Sequence, residues 1–152
     1  MFRKIRIRWQ VWRGKAIDIW SKSLYPANVL SNLYGNSFCY DGVECGSMEG
    51  FLQSLKYKDI VEQRHICRLS GKEAKWMTTA SWQEDQTVWW KGQTIDRQSK
   101  MFLRLVRAAY KAMFEQNESF RTALLSTCGK VLYHSQGAQD SHKTILTEKE
   151  FC

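Results

Sequence analysis

No run in this chain approaches the ~18 consecutive apolar residues of a membrane-spanning helix, so a membrane span is not expected. The N-terminus is basic, but no apolar stretch follows it as in a secretory signal, and the expected compartment is the cytosol. Proline is nearly absent, with Pro26 alone, and there is no repeat, low-complexity tract or linker. That excludes a solenoid or a string of tethered modules and leaves one domain over residues 1–152. No C-x-x-C pair occurs among Cys39, Cys45, Cys67, Cys128 and Cys152, and His65, His134 and His142 never approach H-x-x-x-H spacing. Neither a disulfide framework nor a zinc site is therefore expected, and no metal or other cofactor is called for.

Acidic residues are also in the minority. Against 15 Asp and Glu stand 23 Lys and Arg, a formal net charge of +8. Such a balance points to an anionic partner, either nucleic acid or a phosphorylated small molecule, or simply to solubility. What is abundant is apolar and aromatic: 43% hydrophobic residues, with seven Trp, are enough for a folded core in a chain this long.

The stretch with the most chemistry is Ser47 to Lys56. Read as a helix, it places Glu49, Gln53 and Lys56 at i, i+4 and i+7 on one face, with Phe51, Leu52 and Leu55 on another. Ser47 is a plausible N-cap, which puts Glu49 in the first turn, where the helix dipole favours a carboxylate. Seven residues at ~1.5 Å rise separate Glu49 from Lys56 by about 10 Å, too far for an ion pair but about the span of a ribose. An acid, an amide and an amine in a row can be a solvated surface or a pocket wall, and periodicity alone does not choose.

Around this helix the chain reads as short alternating elements. Residues Phe2 to Trp9 alternate, with Ile5, Ile7 and Trp9 against Arg6 and Arg8, which predicts a strand. It would be either a sheet edge protected by basic residues or a cationic strip for phosphates. A second strand is predicted near Ala16 to Trp20, and a loop from Leu24 to Tyr34. Asp41-Gly42 between apolar runs predicts a hairpin of Ser37–Tyr40 with Val43–Cys45, delivering the chain to Ser47. Helices are predicted over Asp59–Leu69, Ser70–Lys75, Ser99–Phe114 and Glu118–Ser126, and a strand over Lys130–His134. Thr78 to Thr94 is tryptophan-rich and shows no clean period. Thr147 to Glu150 forms a capping box two residues before the last residue, so a closing helix is expected to be cut short.

The order of these motifs resembles the NADAR (YbiA-like) family. The resemblance runs from Leu30-Ser31-Asn32 through Asp41-Gly42 to the Glu49, Gln53, Lys56 helix. It continues with Gly71-Lys72-Glu73-Ala74-Lys75, Trp89-Trp90, the helix from Arg97 to Gln116, and Leu124-Leu125-Ser126-Thr127. It ends at His134-Ser135-Gln136-Gly137 and Thr144-Ile145-Leu146-Thr147. Departures are Gly50, where many members carry His, and His134 to Gly137, where many carry Trp-Gly, as in a variant branch. The implied fold is α+β and predominantly helical, a YbiA-like single domain with short strands and a β-hairpin preceding the active-site helix.

The resemblance implies hydrolysis of an N-glycosidic bond. The substrate would be an ADP-ribosylated nucleobase or a phosphorylated ribosylamino intermediate of riboflavin synthesis. Glu49 would stabilise an oxocarbenium-like state or activate water. Lys56 would bind phosphate, protonate the leaving base or form a Schiff base with an opened sugar. Gln53, Ser31 and Asn32 are candidates to hold ribose hydroxyls. Trp89 or Trp90 would stack on the base, one of the pair being core instead. His134 and Asp140 complete the candidate set. Two other classes stay open: an ADP-ribose or NAD-like nucleotide-binding module without turnover, and a basic nucleic-acid-binding protein using Arg3 to Arg8. ADP-ribosylated nucleic acid as partner would reconcile the charge with the glycosidase reading.

Overall fold

The computed structural model describes residues 2–152, with side chains from residue 5 onward. The chain opens with a helix, α1 (Phe2–Trp12), not the predicted strand. Ile5, Trp9 and Trp12 recur at i, i+4 and i+7, so the same residues that alternate also share a helix face. Arg and Gln favour helix over strand, and no other strand pairs with the segment. The side chains of Phe2, Arg3 and Lys4 in that alternation lie outside the described residues. Ile5, Trp9 and Trp12 face solvent.

β1 (Ala16–Asp18) follows, then a short helix, α2 (Ala27–Leu30), inside the expected loop. Val29 and Leu30 of α2 are buried, and this apolar burial forms the helical turn despite the neighbouring proline. The predicted hairpin is present as β2 (Phe38–Tyr40) and β3 (Val43–Cys45). Asp41 and Gly42 both take positive φ, 49° and 75°, as a two-residue primed turn requires. α3 (Met48–Ser54), α4 (Ile60–Cys67) and α5 (Gly71–Trp76) come next, N-capped by Ser47, Asp59 and Ser70. The aperiodic Trp-rich segment resolves into a 3-10 turn at Ser81–Gln83 and a second hairpin, β4 (Thr87–Trp90) with β5 (Gln93–Asp96). Its turn is Lys91-Gly92, again with positive φ at both residues, a less familiar dipeptide than Asp-Gly. α6 (Lys100–Gln116), α7 (Glu118–Leu125), β6 (Val131–Tyr133) and α8 (Glu148–Phe151) complete the chain.

The strands form three two-stranded sheets: β1 with β6 in parallel, and the two antiparallel hairpins. One hydrophobic core joins them. Phe51 and Leu52 of α3 and Leu55 just after it are at most 1% exposed and pack with Phe38, Val43, Val88, Trp90, Phe102, Val106 and Met113. At about 1.5–3 kcal/mol per buried large side chain, this apolar face is what fixes α3 in place. The result is an α+β fold, predominantly helical, with the hairpin β2–β3 leading straight into α3. Among the described residues, no helix is long and apolar enough to cross a membrane.

Candidate active site

α3 is positioned at its start by neighbouring backbone. The Ser47 hydroxyl accepts from Gly50 N at 3.0 Å and donates to Leu69 O at 3.2 Å, tying the helix start to the end of α4. Gly46 N donates to Cys67 O at 2.8 Å. A Cβ at Gly50 would stand 2.7 Å from Cys67 O, so the helix start can approach α4 this closely only with glycine here. That is the physical reason for the departure at Gly50, where a larger side chain would displace α4.

Glu49 and Gln53 sit one turn apart on α3, whereas Lys56 lies in the turn that follows, beyond the helix that the spacing predicts to contain it. Gln53 Nε2 donates to Glu49 Oε1 at 2.8 Å. Glu49 is half-buried, while Gln53 and Lys56 are only 6% and 7% exposed, so the stripe is not a solvated face. The last turn tightens after Ser54, with Lys56 N donating to Gln53 O at 3.1 Å. Among the described residues Glu49 and Lys56 form no ion pair, although the Glu49 carboxylate still acts on the amine through space. Burial pushes the Lys56 ammonium down to about 8, and Glu49 only partly offsets this. Lys56 Nζ donates to Thr78 Oγ1 at 3.0 Å and lies 5.9 Å from the centre of the Trp82 ring. Gln53 Oε1 is buried without a hydrogen-bond partner among the described residues, an acceptor left available at the middle of the stripe.

Asn32 joins the site from the loop after α2. Its carbonyl accepts from Glu49 N at 3.0 Å, and its Oδ1 accepts from the Tyr110 hydroxyl at 2.6 Å. Both oxygens of Asn32 are thereby fixed. Burial, more than any other influence, raises the Tyr110 phenol, which stays a proton donor to Asn32. Ser31 has a local role, its hydroxyl accepting from Leu33 N at 3.3 Å. α8 approaches through Phe151, whose ring lies 6.4 Å from Tyr110 and 5.8 Å from His134. His134 Nδ1 is held 2.6 Å from Ile19 O. α8 is itself anchored by buried Arg97, whose Nη2 lies 2.7 Å from Glu150 Oε2.

Not every candidate converges. Trp90 is a core residue: its ring packs 5.2 Å from Phe51 and 5.6 Å from Tyr40, and its Nε1 donates to Asp41 Oδ2 at 3.0 Å. Trp89, the alternate residue of the same strand, is half-buried, with its backbone N bonded to Leu55 O at 2.8 Å. Asp140 is exposed and caps its own turn, accepting from His142 N at 2.9 Å. Residues missed in the sequence are Thr78, Trp82 and Tyr110. Tyr110 carried a usable signal, since a tyrosine on the apolar face of an amphipathic helix needs a partner for its hydroxyl. Thr78 and Trp82 sat in the aperiodic segment and carried none.

A recess of ≈ 590 Å³ along Phe38, Cys39, Arg68 and Gln116 lies beside the β2–β3 hairpin and is lined by none of the candidate residues. Among the described residues no group of three or more His, Cys, Asp or Glu is arranged to hold a metal ion.

Three likenesses to known proteins bear on this geometry. The profile of the family described as Bacteriophage protein GP30.3 matches residues 24–152. A 17.1 kDa protein from the Gp30–rIII intergenic region of Enterobacteria phage T4 is 38% identical over 138 residues, covering 89% of this chain and 91% of that protein. The NMR structure of the E. coli protein YbiA superposes with a TM-score of 0.56 at 23% identity, over 79% of this chain and 66% of that one. The YbiA-like fold expected from the motif order is therefore the fold present. The chain belongs to the Bacteriophage protein GP30.3 family, and it carries that family's sequence on a YbiA-like α+β fold.

Proposed function

We propose that the Glu49–Gln53–Lys56 wall hydrolyses the bond between C1′ of a ribose and the nitrogen of a base-like leaving group. The substrate class is an ADP-ribosylated nucleobase or a phosphorylated ribosylamino compound. The observation that carries this reading is Lys56: a nearly buried amine pushed down to about 8, in the turn directly after the helix that bears a half-buried carboxylate. Polar groups taken out of water at such cost are found where chemistry needs them.

In this mechanism the C1′–N bond breaks as the departing nitrogen takes a proton from the Lys56 ammonium. A group titrating near the working pH is well matched to that transfer. The Glu49 carboxylate offsets the positive charge growing on the sugar. It then accepts a proton from the water whose oxygen bonds to C1′, and that proton returns to Lys56 through solvent. The Glu49 carboxylate is oriented by Gln53 Nε2. The unpartnered Gln53 Oε1 is an acceptor for a ribose hydroxyl, and Asn32, steadied by Tyr110, presents its amide to the same sugar.

The test is base release from an ADP-ribosylated guanine and from a ribosylaminopyrimidine phosphate, with wild type beside Glu49→Gln and Lys56→Ala. Release by wild type and its loss in both variants is the expected result. Activity surviving Glu49→Gln would sink the mechanism. Ligand binding without release by the folded wild type would make the site a nucleotide-binding module. A covalent adduct trapped on Lys56 by borohydride would replace proton donation by a Schiff base.

A further inference from the structure

The solvent face of α6 carries Lys100, Arg104, Arg107 and Lys111, spaced four, three and four residues apart. At 3.6 residues per turn this spacing puts all four on one stripe about 16 Å long. All four are exposed. Among the described residues only Lys111 meets an acid, Glu115, at 3.7 Å, and both side chains are largely in water. Glu115 is also the sole acid of α6, and Asp96, ahead of the helix, already accepts from Gln98 N at 2.8 Å. A helix face that needed only solvation would interleave acids with these bases. This one leaves Lys100, Arg104 and Arg107 without a counter-charge among the described residues.

The stripe is held rigidly. Phe102, Val106, Ala109 and Met113 bury the opposite side of α6, and Ser99 caps its start. Tyr110, one turn from Arg107, reaches Asn32 in the candidate active site. A single helix thus carries the support of Asn32 on one edge and the cationic row on the next.

We propose that this stripe binds the sugar–phosphate backbone of a polynucleotide, whether or not that polynucleotide is modified. The cations stand about 6, 4.5 and 6 Å apart along the axis, a linear array suited to successive phosphates. A mononucleotide is too short to span it. An anionic membrane fits poorly, because among the described residues Met101 is the one large apolar side chain exposed along α6, far short of the apolar face a membrane-surface helix inserts. The surface does not depend on the glycosidase reading. If both hold, it keeps a polynucleotide beside Asn32 and Glu49.

Fluorescence anisotropy of the full chain with unmodified 20-nucleotide DNA, the matching RNA and a DNA duplex tests this. Four neutralised phosphates predict a log–log salt slope of about −3 for single strands and about −3.6 for duplex. Affinity should therefore fall roughly 50- to 150-fold between 50 and 200 mM salt. Arg104→Glu with Arg107→Glu should weaken binding at least about tenfold at low salt and roughly halve the slope. Lys72→Glu with Lys130→Glu makes the same change in net charge on other elements and should do much less. Equal loss in the two double variants, no binding at 50 mM salt, or tighter binding to phosphatidylserine vesicles would each overturn the proposal. Base release from a mononucleotide substrate should be unchanged by the α6 variant. Absence of release in wild type would count against the glycosidase reading alone.

Discussion

Replacing Lys56 by Met should make the protein more stable and inactive at the same time. The folded chain holds the Lys56 ammonium at about 8 against an ordinary 10.5, because the amine is 7% exposed and has a hydroxyl, not a carboxylate, as its hydrogen-bond partner. At 1.36 kcal/mol per pK unit, carrying the charge inside costs about 3 kcal/mol below pH 8. Methionine keeps the length of the side chain and removes the charge. The lost hydrogen bond to Thr78 costs about 1 kcal/mol at most, since Thr78 is exposed and can turn to water. The net expectation at pH 7 is stabilisation of about 2 kcal/mol.

The pH dependence is the stricter test. Below pH 8 both folded and unfolded chains hold the Lys56 proton, so the full cost is felt. Between about 8 and 10.5 the folded state has released it while the unfolded state still binds it, and wild-type stability rises with pH. Above that range the charge cost is gone, and only the lost Thr78 hydrogen bond, about 1 kcal/mol at most, separates Lys56→Met from wild type. Urea unfolding of both proteins from pH 6 to 10.5, read as a difference, cancels the other titrating groups. A difference that stays flat with pH, or a variant less stable at pH 7, would refute the claim that burial dominates at Lys56.

Other expectations follow from the same contacts. Gly50→Ala drives a Cβ to within 2.7 Å of a backbone carbonyl and should cost about 2 kcal/mol, lowering Tm by roughly 6 °C in calorimetry; an unchanged Tm would mean that α4 yields freely. Arg97→Ala leaves Glu150 without its partner and should cost about 3–5 kcal/mol, with early exchange of the α8 amides with deuterium. Burial raises the Glu150 carboxyl, but hydrogen bonds from Arg97 and Thr147 outweigh it and hold the group below its ordinary range. Its contribution is therefore present above that range and lost as pH falls through the depressed value, and Arg97→Ala should flatten the acid limb of the stability profile. Tyr110→Phe removes the 2.6 Å bond to Asn32 and should cost about 1 kcal/mol of stability. It should also lower kcat for base release roughly tenfold, while unaltered kinetics would show that Asn32 needs no such support.

Much of the fold was legible because its signals are local. Asp41-Gly42 dictates a primed turn, Ser47, Ser70 and Thr147 sit where helix amides need acceptors, and the period of α6 separates its apolar from its basic side. The N-terminal segment misled for an equally local reason. Alternation over a few residues fits a strand, yet the same residues also fit a helical stripe, and only a pairing partner could have made the strand. The β4–β5 hairpin was hidden because its turn is Lys91-Gly92 and because Trp89 and Trp90, on opposite faces of β4, blur the alternation of buried Val88, Trp90 and Ile95 with the residues between them.

For the candidate site, the chain by itself determined that Glu49 and Gln53 share one helix face, since helical spacing follows from backbone geometry, while the turn after Ser54 takes Lys56 off the helix. It could not say whether that face meets water. Tertiary packing decided it: α3 is pinned between α4 and the core, Lys56 is pressed towards Trp82, and its charge is thereby made costly. Packing also brought Tyr110 to Asn32 across 78 residues and withdrew Trp90 into the core. Burial and long-range hydrogen bonds depend on where distant segments come to rest, and no local pattern in the sequence encodes that.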